Sequence, residues 1–87
     1  MTVTDAQRRA VENVFYGHLL RVSSHATGWN NRGYCAPFAQ PLLAQRLADA
    51  RTVADLAGID LTLPHFAPLV AVIEQAIALP DLPEVGS

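Results

Sequence analysis

The apolar positions of this chain recur at three- and four-residue steps over most of its length, the spacing that lines one face of an α-helix. Val11, Val14, Phe15, Leu19 and Val22 form the first stripe, with Arg8, Arg9, Glu12, Asn13 and Arg21 mostly on the other side. Thr4 or Asp5 can accept hydrogen bonds from the free amides of a first turn, so the pattern predicts a helix from there to about Ser23. Gly17 lies inside it and costs about 1 kcal/mol relative to alanine, marking either the close approach of another helix or a weak point.

From Ser24 to Pro37 the stripe gives way to turn-forming residues with Trp29 and Tyr34 embedded among them, which predicts one long central loop. A second helix is expected to start between Pro37 and Pro41, where a missing amide does no harm, and to end near Ala50. Phe38, Leu42, Leu43 and Leu47 give it an inward face. Thr52 then stands as the cap of a short helix, Val53 to Ala57, with Gly58 as its stop.

Thr62 is expected to cap a last helix from about Leu63 to Leu79, with Pro64 and Pro68 near its first turn. It carries two adjacent apolar stripes: Leu63, Phe66, Val70, Ile73 and Ile77, and beside them Leu69, Val72, Ala76 and Leu79. The proline-punctuated segment from Pro80 to Ser87 reads as an extended tail. The fold class expected is all-α: a single domain over residues 1–87, a small bundle of three longer helices and one short helix around one long loop.

Composition agrees with helices. Fourteen alanines and eleven leucines stand against six aromatics, the mixture of close-packed helices rather than of sheets. Hydrophobic residues are 51% of the chain and charged residues 16%, a balance that folds rather than stays disordered. A chain of 87 residues buries only about two thirds of the surface its unfolded form exposes, so help from a partner or from self-association is expected.

Charge and targeting narrow the partners. The net charge is −2, lysine is absent, and six arginines are scattered against eight acids, so no concentrated basic stripe for nucleic acid exists. Cys35 is the one cysteine and forms no intramolecular disulfide. No apolar stretch resembles a signal peptide or a membrane span, and the expectation is a cytoplasmic protein with no membrane partner.

Candidate chemistry is sparse. His18, His25, His65 and Cys35 could ligate a metal, but no Cys-x-x-Cys or His-x-x-x-His pair occurs, so neither a metal nor any other cofactor is expected. Cys35 stands just before the second helix, whose amides would stabilise a thiolate for attack with His25 or His65 as base, although Pro37 and Pro41 remove donors. A buried structural cysteine is the preferred reading, and an enzyme the less favoured one. Asp49, Asp55 and Asp60 fall at capping and surface positions, and Gly28 and Gly33 lack the spacing of a phosphate loop. The segment holding Trp29, Asn30, Asn31, Arg32 and Tyr34 is the recognition candidate, since Trp, Tyr and Arg are enriched at binding hot spots.

A helix apolar on most sides is either enclosed by its own fold or covered by another chain. The function expected is therefore a non-catalytic protein–protein interaction module, a homodimer or a small accessory subunit of a larger protein. Its interface would use the last helix through Leu63, Phe66, Leu69, Val70, Val72, Ile73 and Ile77. Two alternatives stand beside it. The stretch Thr52-Val53-Ala54-Asp55-Leu56-Ala57-Gly58-Ile59 resembles the first helix and turn of a helix-turn-helix, which implies a small DNA-binding regulator. The segment from Trp29 to Cys35 could instead serve a small enzyme or ligand-binding protein.

Overall fold

A computed structural model describes residues 4–81, and among them every regular element is helical. The helices are α1, Asp5–Arg32, α2, Ala39–Ala57, and α3, Ala67–Ile77. The bundle is elongated, 58 × 20 × 17 Å. The expected extended tail falls largely on residues 82–87, outside the described part of the chain.

α1 opens on a capping box: the Thr4 hydroxyl accepts from the Gln7 amide, and the Gln7 side chain accepts from the Thr4 amide. The helix does not stop near Ser23. It runs 28 residues to Arg32, because the buried row Phe15, Leu19, Val22 and Ala26 continues at helical spacing to half-buried Trp29. The turn-forming hydroxyls on the way are absorbed by the helix itself: Ser23 and Ser24 donate to the Leu20 carbonyl and Thr27 to that of Ser23. Gly33 ends it at φ 80°, donating back to the carbonyls of Asn30 and Trp29. The connection to α2 is thus the short segment 33–38, and the long central loop is corrected to a helix end.

The separate short helix is corrected as well. Val53–Ala57 continues α2, whose buried row Ala39, Leu43, Leu47, Ala50 and Ala54 crosses position 52 without a break. Thr52 donates to the Ala48 carbonyl one turn back instead of capping a new helix. Gly58, at φ 71°, is the true stop, and buried Ile59 donates to Ala54.

α3 begins four residues later than expected. Residues preceding proline are biased away from helical backbone, and Leu63, where the helix was expected to start, precedes Pro64. The segment 60–66 is a succession of turns started by Asp60, whose carboxylate accepts from the Thr62 hydroxyl and amide. Those two bonds, the hydroxyl's first, hold the Asp60 carboxyl below its ordinary value. At the other end the Gln40 side chain donates to the carbonyls of Ile77 and Leu79, and the Cys35 amide to Pro80, so the end of α3 is tied to the α1–α2 connection.

Phe66 and Ile73 are the centre of the core. Phe66 sits edge-on to Phe15 at 5.6 Å and to Tyr16 at 6.0 Å, while Leu19, Ile73 and Ala76 are wholly buried. α1 packs most extensively on α3 and least on α2, so α3 rather than α2 is the main partner of the long helix. An exposed ion pair, Arg51 to Glu74 at 2.7 Å, adds little to the α2–α3 contact.

The structure resolves the ambiguity at Gly17. A side chain there, or at Gly28, would meet nothing within 4 Å, so neither glycine serves a close approach. Gly17→Ala and Gly28→Ala are each expected to stabilise the fold by up to about 1 kcal/mol, read as the midpoint of urea unfolding. Phe66→Ala is expected to cost about 3–5 kcal/mol by the same measurement, because the ring is almost wholly buried against Phe15 and Tyr16 and its loss leaves a cavity there.

Candidate functional site

The apolar stripe read on α1 is two rows, not one. Phe15, Leu19 and Val22 point inward, whereas Val11 and Val14 stand 44% and 75% exposed. The outer row continues at three- and four-residue steps through His18, Arg21 and His25 to Trp29. α2 is built the same way: Leu43, Leu47 and Ala50 are buried, and Phe38, Leu42 and Val53 form an outer row 71%, 58% and 45% exposed.

These outer rows border one trough between α1 and α2. Near the start of α1, Val11, Val14 and His18 face Asp49 and Val53, with Phe15 and Ala50 as floor. Near its end, Arg21, His25 and Trp29 face Phe38, Leu42 and Arg46, with Val22, Ala39 and Leu43 as floor. His18 borders both halves, so they are continuous. The start of α1 lies beside the end of α2, and the two helices run antiparallel. No residue of α3 lines the trough.

The polarity of the trough is uneven. Its two ends are apolar, with Val11, Val14 and Val53 at one and Trp29, Phe38 and Leu42 at the other. The middle holds His18, Arg21, Arg46 and Asp49. Among the described residues neither arginine has an ion-pair partner, and Asp49 accepts a hydrogen bond only from Gln45, one turn back, at 2.8 Å. Trp29 is fixed as the end wall by edge contacts to Tyr34 at 5.6 Å and Phe38 at 6.0 Å, with the Arg32 guanidinium 4.9 Å over its ring.

The residues nominated from the sequence fall elsewhere. On the last helix, Phe66 and Ile73 are sealed in the core, and Leu69, Val70, Val72 and Ile77 pack half-buried against it. Of that set only Leu63, in the turns before α3, is exposed. Each stripe of α3 thus turns its most deeply buried residues to α1 and α2 of the same chain and keeps its half-buried ones partly accessible. The recognition segment is not a loop: Trp29, Asn30, Asn31 and Arg32 are the last turn of α1, and only Tyr34 lies beyond Gly33. Asn30 has an internal role, its side-chain amide donating to the Val72 carbonyl at 3.2 Å.

The helix-turn-helix resemblance does not extend into three dimensions. Thr52–Ala57 is the end of a 19-residue helix, and the next helix starts only at Ala67, whereas that motif joins its helices by a turn of three or four residues. The candidate catalytic groups fall on three different segments. Cys35 is buried in the 33–38 connection, His25 is on the outer row of α1, and His65 is exposed in the turns before α3 beside Tyr16. Among the described residues no cluster of three or more His, Cys, Asp or Glu could hold a metal, and no helix is long and apolar enough to cross a membrane.

The trough residues themselves were all visible in the sequence. What concealed them was the choice of face: Val11 and Val14 share helical spacing with the buried row, and only the packing of α3 determines which row is inside.

Burial pushes the Cys35 thiol above its ordinary value of 9.0, and the carboxylate of Asp81 adds to this. A raised value in the folded state means that stability from the neutral thiol is fully present below about pH 9 and lost as pH rises beyond it. The unfolding free energy is expected to fall above that pH, with Cys35→Ala removing this part of the decline. A thiol reagent near neutral pH should leave native Cys35 unmodified and react quickly once the chain is denatured. Comparison of the chain with protein families, with curated proteins and with solved structures finds no significant match.

Proposed function

We propose that this protein is a non-catalytic interaction module, and that the α1–α2 trough rather than α3 is the surface that receives another protein. The observation that carries this reading is the paired outer row of large apolar side chains, Val11 and Val14 on α1 with Phe38, Leu42 and Val53 on α2, all substantially exposed along one continuous trough. Scattered apolar residues on a surface are ordinary, but a contiguous set rimmed by arginine, histidine and aspartate has the character of an interface. Trp29 and Arg21, residue types prominent in binding hot spots, stand at the rim, and the packed Trp29–Tyr34–Phe38 cluster gives the end wall a fixed shape.

Chemistry has no comparable support. A nucleophile must be within hydrogen-bond reach of its base, and among the described residues the buried Cys35 thiol makes no hydrogen bond to His25 or His65.

The test is a photoreactive phenylalanine analogue introduced singly at Leu42, Val53 and Ala71, with the protein expressed in its own cells. Leu42 and Val53 border the trough, and Ala71 is an exposed position on α3. Discrete cross-linked products from the two trough positions and none from Ala71 are expected. Products from Ala71 alone, or none from either trough position, would overturn the assignment.

A further inference from the structure

We infer that the occupant of the trough is an amphipathic helix of another protein that carries acidic residues on both sides of its apolar row, seated with those carboxylates between Arg21 and Arg46. This rests on the interaction reading above and names the chemistry of the partner. Two observations carry it: the shape of the trough and the placement of charge along its walls.

The shape suits a helix. α1 and α2 lie antiparallel, and on their inner side α3 packs on both, with Ile73 and Ala76 buried against the inner rows. On the outer side the floor is again apolar, Phe15 and Ala50 toward one end and Val22, Ala39 and Leu43 toward the other. The α1 wall runs over residues 10–29, about 30 Å of helix, so the space is long and narrow rather than a closed chamber. A row of apolar side chains at three- and four-residue steps fills a groove of this form, which is how amphipathic helices dock into grooves in general.

Charge selects among helices. The half of the trough beside Trp29 has Arg21 on one wall and Arg46 on the other, with His18 and His25 one turn to either side of Arg21, and no acidic residue lines it among the described residues. Asp49 lines the other half, where it accepts from Gln45. Neither arginine is in an ion pair among the described residues. A chain of net charge −2 thus presents a cationic half-groove over an apolar floor. An occupant satisfies both arginines only with carboxylates on both flanks of its apolar row, and a basic helix meets repulsion from both walls.

The fold already contains one pairing of this kind: Glu74, on apolar α3, pairs with Arg51 of α2 at 2.7 Å. The described helices of this chain do not themselves provide the complement, since the outer rows of α1 and α2 carry the two arginines and the one acid of α3 is Glu74. Exposed pairs add little affinity but discriminate between partners, so the apolar rows supply the binding and the arginines select the sign of the occupant.

The experiment uses the purified full chain and two peptides of about 20 residues, enough to span the α1 wall as a helix. One places leucine at three- and four-residue steps with glutamate on both flanks of that row and alanine and glutamine elsewhere; the other has lysine at every glutamate. Trp29 is the single tryptophan of the chain and stands at the end of the trough, so its emission reports occupation directly. The glutamate peptide is expected to shift that emission, to bind at least about tenfold more tightly than the lysine peptide at low salt, and to lose most of that preference as salt is raised. Arg21→Glu combined with Arg46→Glu should invert the preference, and because both residues are exposed the circular dichroism of this variant should match wild type. Equal binding of the two peptides, or an unchanged preference in the double variant, would overturn the acidic helix as occupant. Binding of neither peptide would overturn it too, and a Trp29 response to dodecanoate in that case would make the trough a site for a small amphiphile. The two readings fail separately: cross-links from Leu42 and Val53 to a segment of another protein that is not an acidic amphipathic helix would retain the trough as interface and remove only this occupant.

Discussion

The closure of α1 and α2 over one side of α3 is the constraint on which everything else depends. Phe66, just before α3, and Ile73 and Ala76 on it are at most 1% exposed, and the inner rows of α1 and α2 pack around them. α1 and α2 each give their inner row to that task and meet one another less closely than either meets α3. There is no fourth helix on the opposite side of the α1–α2 pair among the described residues. The open trough is the direct consequence, because a helix with two apolar rows on neighbouring faces needs two neighbours and here has them on one side only.

Polar anchors fix how α3 lies. Gln40 holds the carbonyls at its end, Asn30 reaches the Val72 carbonyl from α1, and the Cys35 amide binds Pro80. Gln40 satisfies carbonyls that the end of a short helix leaves without a partner, and together these bonds tie α3 and the residues after it to α1, the α1–α2 connection and the start of α2. The Val11, Val14 and Val53 end of the exposed apolar face lies at the other end of α1 and α2 from these anchors.

The class of the fold was legible in the sequence because helical spacing and an alanine- and leucine-rich composition point the same way. The cap at Thr4 and the stop at Gly58 also follow from local chemistry. Element lengths were harder to read, since serine, threonine and asparagine favour turns until tertiary packing gives the backbone a reason to stay helical. Ala26 and Trp29 provided that reason for α1, and Ala50 and Ala54 for α2. The functional face was the least legible. The last helix is the most apolar segment, and apolarity alone does not distinguish a helix enclosed by its own chain from one covered by another. Val14 and Leu19 belong to the same helical pattern, yet one is 75% exposed and the other wholly buried, a difference created by where α3 packs.

The central claim is that the outer rows of α1 and α2, rather than α3, form the surface that receives another protein. Hydroxyl-radical footprinting of the protein in its own cells and again after purification tests it most directly, since oxidation reports the accessibility of each side chain in the folded state. Leu42 and Val53 are expected to be oxidised less in cells than after purification, with Leu69, Val70 and Val72 alike in both. Protection of Leu69, Val70 and Val72 in cells with the trough residues unchanged would contradict the claim and return the interface to α3.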